Sequence, residues 1–170
     1  MIWQPYPHSR QAIPANLKSW LLDRGSLTDR LVQASRGQFR VQVLRQHWGT
    51  CHSDESRALG TAPRHRVLIR EVILQGNHQP WVYARSILPN SSLEHSLRYL
   101  KRIGSKPLGA VLFSDPHLRR GEIEIARLQP GQLPIAVNQS VWGRRSVFYL
   151  HRQPLLVSEI FLPEFVAQLS

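Results

Sequence analysis

Residues 67–74 (VLIREVIL) and 155–163 (LLVSEIFLP) are two runs of branched apolar side chains, and each is interrupted by charge. Strands of this composition have to be covered by protein on at least one face. Arg70 and Glu159 therefore sit where an ionised group is costly unless it is paired or hydrogen-bonded. Alternation puts Arg70 on one face with Leu68, Val72 and Leu74, and Glu159 on one face with Val157 and Phe161. Glu71 points the opposite way from Arg70, as a solvated or helix-facing partner rather than a second catalytic acid. Two readings stay open from spacing alone. In one, Arg70 is neutralised within the protein by Glu159, by Glu71 or by another acid at a sheet edge. In the other, the two charges bound one dry pocket, which suits a small ligand with a carboxylate at one end and a hydroxyl at the other.

The rest of the pattern indicates what surrounds these strands. Pro5, Pro7 and Pro14 leave residues 1–15 as an irregular amino-terminal segment. Leu17, Trp20 and Leu21 recur at helical spacing up to a stop at Gly25, and Ser26 caps a second helix with Asp29 in its first turn and Leu27, Leu31 and Val32 as its apolar stripe. Residues 38–48 alternate as a half-exposed strand, with Phe39, Val41 and Val43 on one side, and the polar residues 50–66 read as a connecting loop. Residues 66–75 and 81–88 form a hairpin around Gly76, Asn77, His78, Gln79 and Pro80. A helix over 93–103 carries Leu93, Leu97 and Leu100 and closes at Gly104. A short strand holds Ile123, Glu124 and Ile125, and a last pair covers 146–150 and 155–162 around His151, Arg152, Gln153 and Pro154. Neighbouring strand pairs with helices before and between them indicate a single α+β domain spanning 1–170, built on an antiparallel sheet.

Composition removes several function classes. Cys51 is the only cysteine, which excludes an intrachain disulfide and a cysteine-built zinc site and fits a reducing, cytoplasmic setting. No stretch approaches the length of a membrane span, and residues 1–10 have no signal-peptide core. The eight histidines show no HxxxH or HxH spacing, so no metal is expected. GxSxG, GxGxxG and P-loop patterns are absent as well. The net charge of +11 prompts a nucleic-acid reading. Against it, the basic residues are spread along the chain, Arg85, Arg119, Arg120, Arg144 and Arg145 among them, with no polybasic tail or recognised binding signature. A basic solvated surface is the simpler expectation, and a monomer is expected because no exposed apolar helix stands out.

Six pieces in order resemble one family: WLLDRGSLTDRL at 20–31, IREVIL at 69–74, QPWVYARSILP at 79–89, KPLG at 106–109, WGRRS at 142–146 and PLLVSEIFLP at 154–163. They cover most of the chain from residue 20 and resemble chorismate lyase. The resemblance implies an antiparallel six-stranded sheet with helices packed against it and a buried, flap-covered site. It implies conversion of chorismate to 4-hydroxybenzoate and pyruvate at the head of quinone biosynthesis, without metal or redox cofactor and with inhibition by product. By the same resemblance Arg70 binds the ring carboxylate, Glu159 meets the ring hydroxyl, and backbone amides of Leu27 and Leu108 complete the carboxylate site. Leu27 departs from the methionine common in the family, a change that a backbone contact should survive. The two charged groups should then lie about 6–9 Å apart, since a direct pair would leave no room for substrate. The rivals are a non-catalytic small-molecule sensor domain of the same fold and a basic nucleic-acid-binding protein.

Overall fold

The computed structural model describes residues 1–6 and 12–169. Its strands are β1 (Gln4–Pro5), β2 (Phe39–Thr50), β3 (Arg66–Gly76), β4 (Gln79–Pro89), β5 (Arg119–Arg120), β6 (Glu124–Leu128), β7 (Val141–Leu150) and β8 (Gln153–Phe161). They form one sheet in the order β1-β6-β7-β8-β4-β3-β2, with β5 paired to β7 and every pairing antiparallel. Among the described residues eight strands replace the expected six, because β1 and β5 are two residues each, too short for alternation to register in the sequence. The pairing of Gln4 and Pro5 with β6 also corrects the irregular amino terminus, whose Pro7 and His8 lie outside the described residues.

Two hairpins form the centre of the sheet, and both turn on two residues with left-handed backbone. Asn77 and His78 have φ of 51° and 64°, and His151 and Arg152 have φ of 50° and 66°. This is the handedness that matches strand twist in a two-residue connection. The strands therefore run further into the links than expected, with Gly76 opposite Gln79 and Leu150 opposite Gln153. Gly76 is required for space: a Cβ there would overlap the buried ring of Trp81. At the edge, β2 loses its register between Val43 and Arg45, which leaves Val43 and Leu44 exposed instead of alternating.

The helices are α1 (Ala15–Leu21), α2 (Leu27–Ala34), α3 (Ser53–Leu59), α4 (Leu108–Phe113) and α5 (Pro163–Val166). Helix α1 ends before Gly25, whose N–H is taken by the Asp23 carboxylate at 3.0 Å. Ser26 caps α2 as expected, accepting from the Asp29 N–H at 3.2 Å; Leu27 and Leu31 are buried while Val32 faces solvent. The expected loop over 50–66 contains α3, started by the His52 N–H donating to the Glu55 carboxylate at 2.9 Å. The expected helix over 93–103 is two 3-10 segments, Asn90–Leu93 and His95–Arg102. Leu97, Leu100 and Ile103 recur every third residue, the period of that tighter helix, and all three are buried. Lys106 to Gly109, read as a break, leads directly into α4.

One face of the sheet is covered by α1, α2 and α5 over Val72, Leu74, Val82 and Phe161, and further along by the 3-10 segments and α4 over Leu68, Leu88, Phe148 and Leu155. The other face packs Leu59 of α3 on Val67, Ile69, Ile87 and Leu156, and residues 133–137 near Ile73, Tyr83 and Ile160. Cover on both sides explains why β3 reads as a nearly unbroken apolar run.

Glu71 lies on that second face, 2% exposed, where Arg45, Arg85 and the Tyr83 hydroxyl (2.5 Å) all bond its carboxylate. Burial alone would raise its pKa, but the bonds from Arg45 and Tyr83 and the nearby positive charges outweigh that and hold it below the ordinary carboxylate value. A depressed carboxylate stabilises the fold above its unfolded pKa of about 4.3 and loses that contribution as pH falls through the lower folded value. The urea midpoint is therefore expected to stay level from neutral pH to about 5 and to fall below about 4. Glu71→Gln should flatten part of that fall. Identical acid profiles for the two chains would contradict the assignment.

Candidate active site

Directly opposed residues of antiparallel strands share a face, so the pairings define a surface from β3 to β7. Arg70 opposes Ser86, Ser86 opposes Val157, and Val157 opposes Ser146; one step along, Val72, Ala84, Glu159 and Arg144 form the next row. Arg70 and Glu159 thus project from the same face, two strands and two residues apart, about 12 Å between their Cα atoms from strand geometry. The rows between the two apolar clusters carry Arg70, Ser86, Ser146, Arg144 and Glu159, a polar belt across an otherwise apolar layer.

The two charges do not satisfy each other. Arg70 is 3% exposed and, among the described residues, bonds only neutral acceptors, Gln46 Oε1 at 3.2 Å and the Lys106 carbonyl at 3.1 Å. Burial without an acid beside it pulls its pKa below the ordinary arginine value. Glu159 instead accepts from Arg144 Nε at 2.7 Å. Arg144 is 1% exposed, and its Nη1 also donates to the carbonyls of Trp20 and Asp23 at 2.8 and 2.7 Å. The α1–α2 connection is thereby tied to the sheet beside Glu159.

The amino termini of α2 and α4 close over this belt. Leu27 and Leu108 are the first residues of those helices, where backbone N–H groups lack partners within the helix, and both side chains are buried. The helices approach so closely that a Cβ on Gly109 would stand 3.0 Å from Thr28 Oγ1. Arg70 reaches the turn before α4 through Lys106, so Leu108 begins its helix beside the guanidinium.

Sequence reasoning missed Arg144, Arg145, Arg85 and Arg120, which it assigned to a solvated surface. Arg144 and Arg145 are 1% and 5% exposed. Arg145 pairs with Asp54 and Glu124 at 2.7 Å each, and Arg85 with Glu55 at 2.7 Å. The signal was available in the WGRRS segment: starting β7 at Val141 rather than at Ser146 makes Arg144 alternate with Trp142 and Ser146 on the face of Glu159. Arg120 leaves β5 to donate from Nε to Ser146 Oγ at 3.0 Å and from Nη1 to the Asp23 carbonyl at 3.2 Å.

A cavity of about 250 Å³ opens on the opposite face, with Glu71, Tyr83, Arg85 and Arg145 in its lining. Its three arginines, Arg45, Arg85 and Arg145, are each already paired with a carboxylate. Cys51 is half-buried near it, and burial followed by the neighbouring Glu55 charge pushes its thiol pKa up, against a nucleophilic role. Among the described residues no helix is long and apolar enough to cross a membrane.

The family model described as chorismate lyase matches residues 1–169. The chain belongs to the chorismate lyase family. A relative from Pseudomonas aeruginosa strain UCBPP-PA14, named "Probable chorismate pyruvate-lyase", is 41% identical over 153 residues, covering 89% of this chain and 86% of its own. One of the same name from Nitrosomonas eutropha is 38% identical over 172 residues, covering 96% and 94%. Among solved structures, PhnF from Mycobacterium smegmatis superposes with a TM-score of 0.60 at 15% identity, covering 84% of this chain and 66% of its own. A GntR-family transcriptional regulator from Bacillus cereus does so at 0.56 and 10% identity, covering 75% and 93%. At those identities the likeness shows that the chorismate lyase fold is shared with regulator domains, and no more.

Proposed function

We propose that this chain eliminates pyruvate from chorismate to give 4-hydroxybenzoate, with Arg70 and Glu159 at opposite ends of the bound ring. The observation that carries the reading is Arg70, a buried guanidinium facing the interior, whose partners among the described residues are neutral. Leaving a cation so placed is costly, and a substrate carboxylate would supply the missing charge. The amides of Leu27 and Leu108, at facing helix starts, complete that carboxylate site.

Glu159 meets the ring hydroxyl at the far end. Its second partner, Arg144, holds the carboxylate in one orientation, so substrate finds it already placed. In the reaction the ring carbon to ether oxygen bond breaks, and a hydrogen leaves the adjacent carbon that bears the hydroxyl. The ring becomes aromatic, and the departing enolpyruvate takes up a proton at its methylene carbon to become pyruvate. Electrons and atoms balance within the substrate, so positioning and electrostatics are the protein's task. The product keeps the carboxylate and hydroxyl that these groups hold, so slow release and product inhibition follow. 4-Hydroxybenzoate is a suitable ring precursor for a quinone.

Incubation with chorismate, with pyruvate followed by a coupled dehydrogenase assay and the aromatic product identified by chromatography, tests the reading. Equimolar pyruvate and 4-hydroxybenzoate are expected. Chorismate binding without turnover would instead make the domain a sensor, and 3-hydroxybenzoate or salicylate would overturn the placement of Glu159.

A further inference from the structure

Three of the interior arginines, Arg85, Arg144 and Arg145, are each paired with a carboxylate. Arg70 and Arg120 are not: among the described residues neither is within ion-pair distance of an acid. Arg120 is half-buried, and its Nε and Nη1 engage Ser146 Oγ (3.0 Å) and the carbonyls of Asp23 (3.2 Å) and Gly25 (3.5 Å), while its Nη2 has no hydrogen-bond partner among the described residues. Its guanidinium lies over the face of Phe148, 5.0 Å from the ring centre, which fixes its plane. Burial and the adjacent Arg144 charge bring its pKa down to about 10, so it remains a cation at neutral pH.

Its place in the belt gives the unpaired charge a use. Ser146, to which Arg120 is bonded, ends the row that begins at Arg70 and passes through Ser86 and Val157. Arg70 and Arg120 therefore stand at the two ends of one row, with Glu159 one step to the side. Chorismate has the matching triangle: a ring carboxylate, a hydroxyl para to it, and on the carbon beside the hydroxyl an enolpyruvyl ether that ends in a second carboxylate. We propose that Arg120 binds the enolpyruvyl carboxylate of the substrate. The proposal rests on the reading of Arg70 and Glu159 given above.

It assigns Arg120 a contact that substrate makes and product cannot, because 4-hydroxybenzoate has lost the second carboxylate with the pyruvate. Arg70, in contrast, holds a group common to both. A guanidinium on the leaving fragment also stabilises the negative charge that develops as the ether bond opens, so its removal affects kcat as well as KM. The competing role is structural: Arg120 bonds the 23–25 segment that leads into Leu27, and a simple clamp on that segment would serve substrate and product alike.

The experiment compares Arg120→Gln, Arg120→Lys and Arg70→Ala with the wild-type chain, measuring kcat and KM for chorismate and, by calorimetry, Kd for 4-hydroxybenzoate. For Arg120→Gln, kcat/KM should fall about 10- to 100-fold, the size of one lost charge-assisted contact. Its 4-hydroxybenzoate Kd should stay within about twofold, which also shows that the variant is folded. Arg120→Lys should recover part of the loss, and it stands in if the glutamine chain does not fold. Equal loss of chorismate and 4-hydroxybenzoate affinity would make Arg120 a clamp, and unchanged kcat/KM would remove it from the site; either result overturns the proposal. Arg70→Ala should weaken both ligands. If it leaves 4-hydroxybenzoate bound as before, the underlying reading of the pocket fails, whatever Arg120 does.

Discussion

Arg70→Met is expected to lower kcat/KM for chorismate by about 100- to 1,000-fold, the range seen when one preorganised charge-stabilising group is removed, without lowering the melting temperature. The two halves have one cause. Arg70 is almost fully buried, and its partners among the described residues are a glutamine oxygen and a backbone carbonyl. Desolvating such a cation costs several kcal/mol, of which two hydrogen bonds at about 1–3 kcal/mol each return a part. Methionine has a similar length, fills the space with apolar atoms and leaves no charge to desolvate. The gain is offset by leaving the Lys106 carbonyl short of a donor, so a small rise or no change is the expected melting result. Thermal unfolding and steady-state kinetics on the same preparation check both halves. Activity near wild type would remove Arg70 from the site. A loss of melting temperature matching the glutamate variant below would mean that Arg70 is a structural group.

Glu159→Ala should abolish activity to a similar extent and also destabilise the fold by about 3–5 kcal/mol, the cost of orphaning a buried partner. Among the described residues Glu159 is the only carboxylate on Arg144, which has 1% of its side chain exposed and keeps just two backbone carbonyls once the glutamate is gone. For a chain of this size that corresponds to a fall in melting temperature on the order of 10 °C. Removing both charges, as Arg144→Met with Glu159→Leu, should restore most of the stability and none of the activity. If the single alanine variant melts like wild type, the pair contributes nothing to the fold. If the double variant turns over chorismate, Glu159 is not at the reacting ring.

The residues most legible in the sequence were those whose neighbours follow a strict period. Leu68, Arg70, Val72 and Leu74 alternate through β3 without a break, so the face of Arg70 could be read directly, and Ser26 with Asp29 marked the start of α2. Where a second effect competes, the pattern misleads. A bulge in β2 spoils the alternation after Val43. The leucines at 97 and 100 fit helical and 3-10 periods alike, and only packing selects the tighter form. Helix α3 was hidden because its polar first turn looks like a loop until Glu55 is seen to be buried against Arg85. The arginines of β7 were the largest omission: a charged pair after a glycine resembles a surface turn, and its partners are remote in sequence, 15 residues away for Glu159 and 91 for Asp54. Leu27 and Leu108 are proposed through family resemblance alone, since a backbone amide leaves no side-chain signature.

The position of β8 between β4 and β7 also bears on how the protein is made. Without residues 153–161 the topology leaves two separate ribbons, β2-β3-β4 and β1-β6-β7 with β5, each ending in an unpaired apolar edge. Such edges invite pairing with other chains. Insertion of β8 joins the ribbons, brings Glu159 to Arg144 and places Arg70 and Arg144 on one face of a single sheet. Pairings across that span of sequence form slowly. Synthesis is therefore expected to depend more on protection of the growing chain than a domain of local hairpins and helices would require.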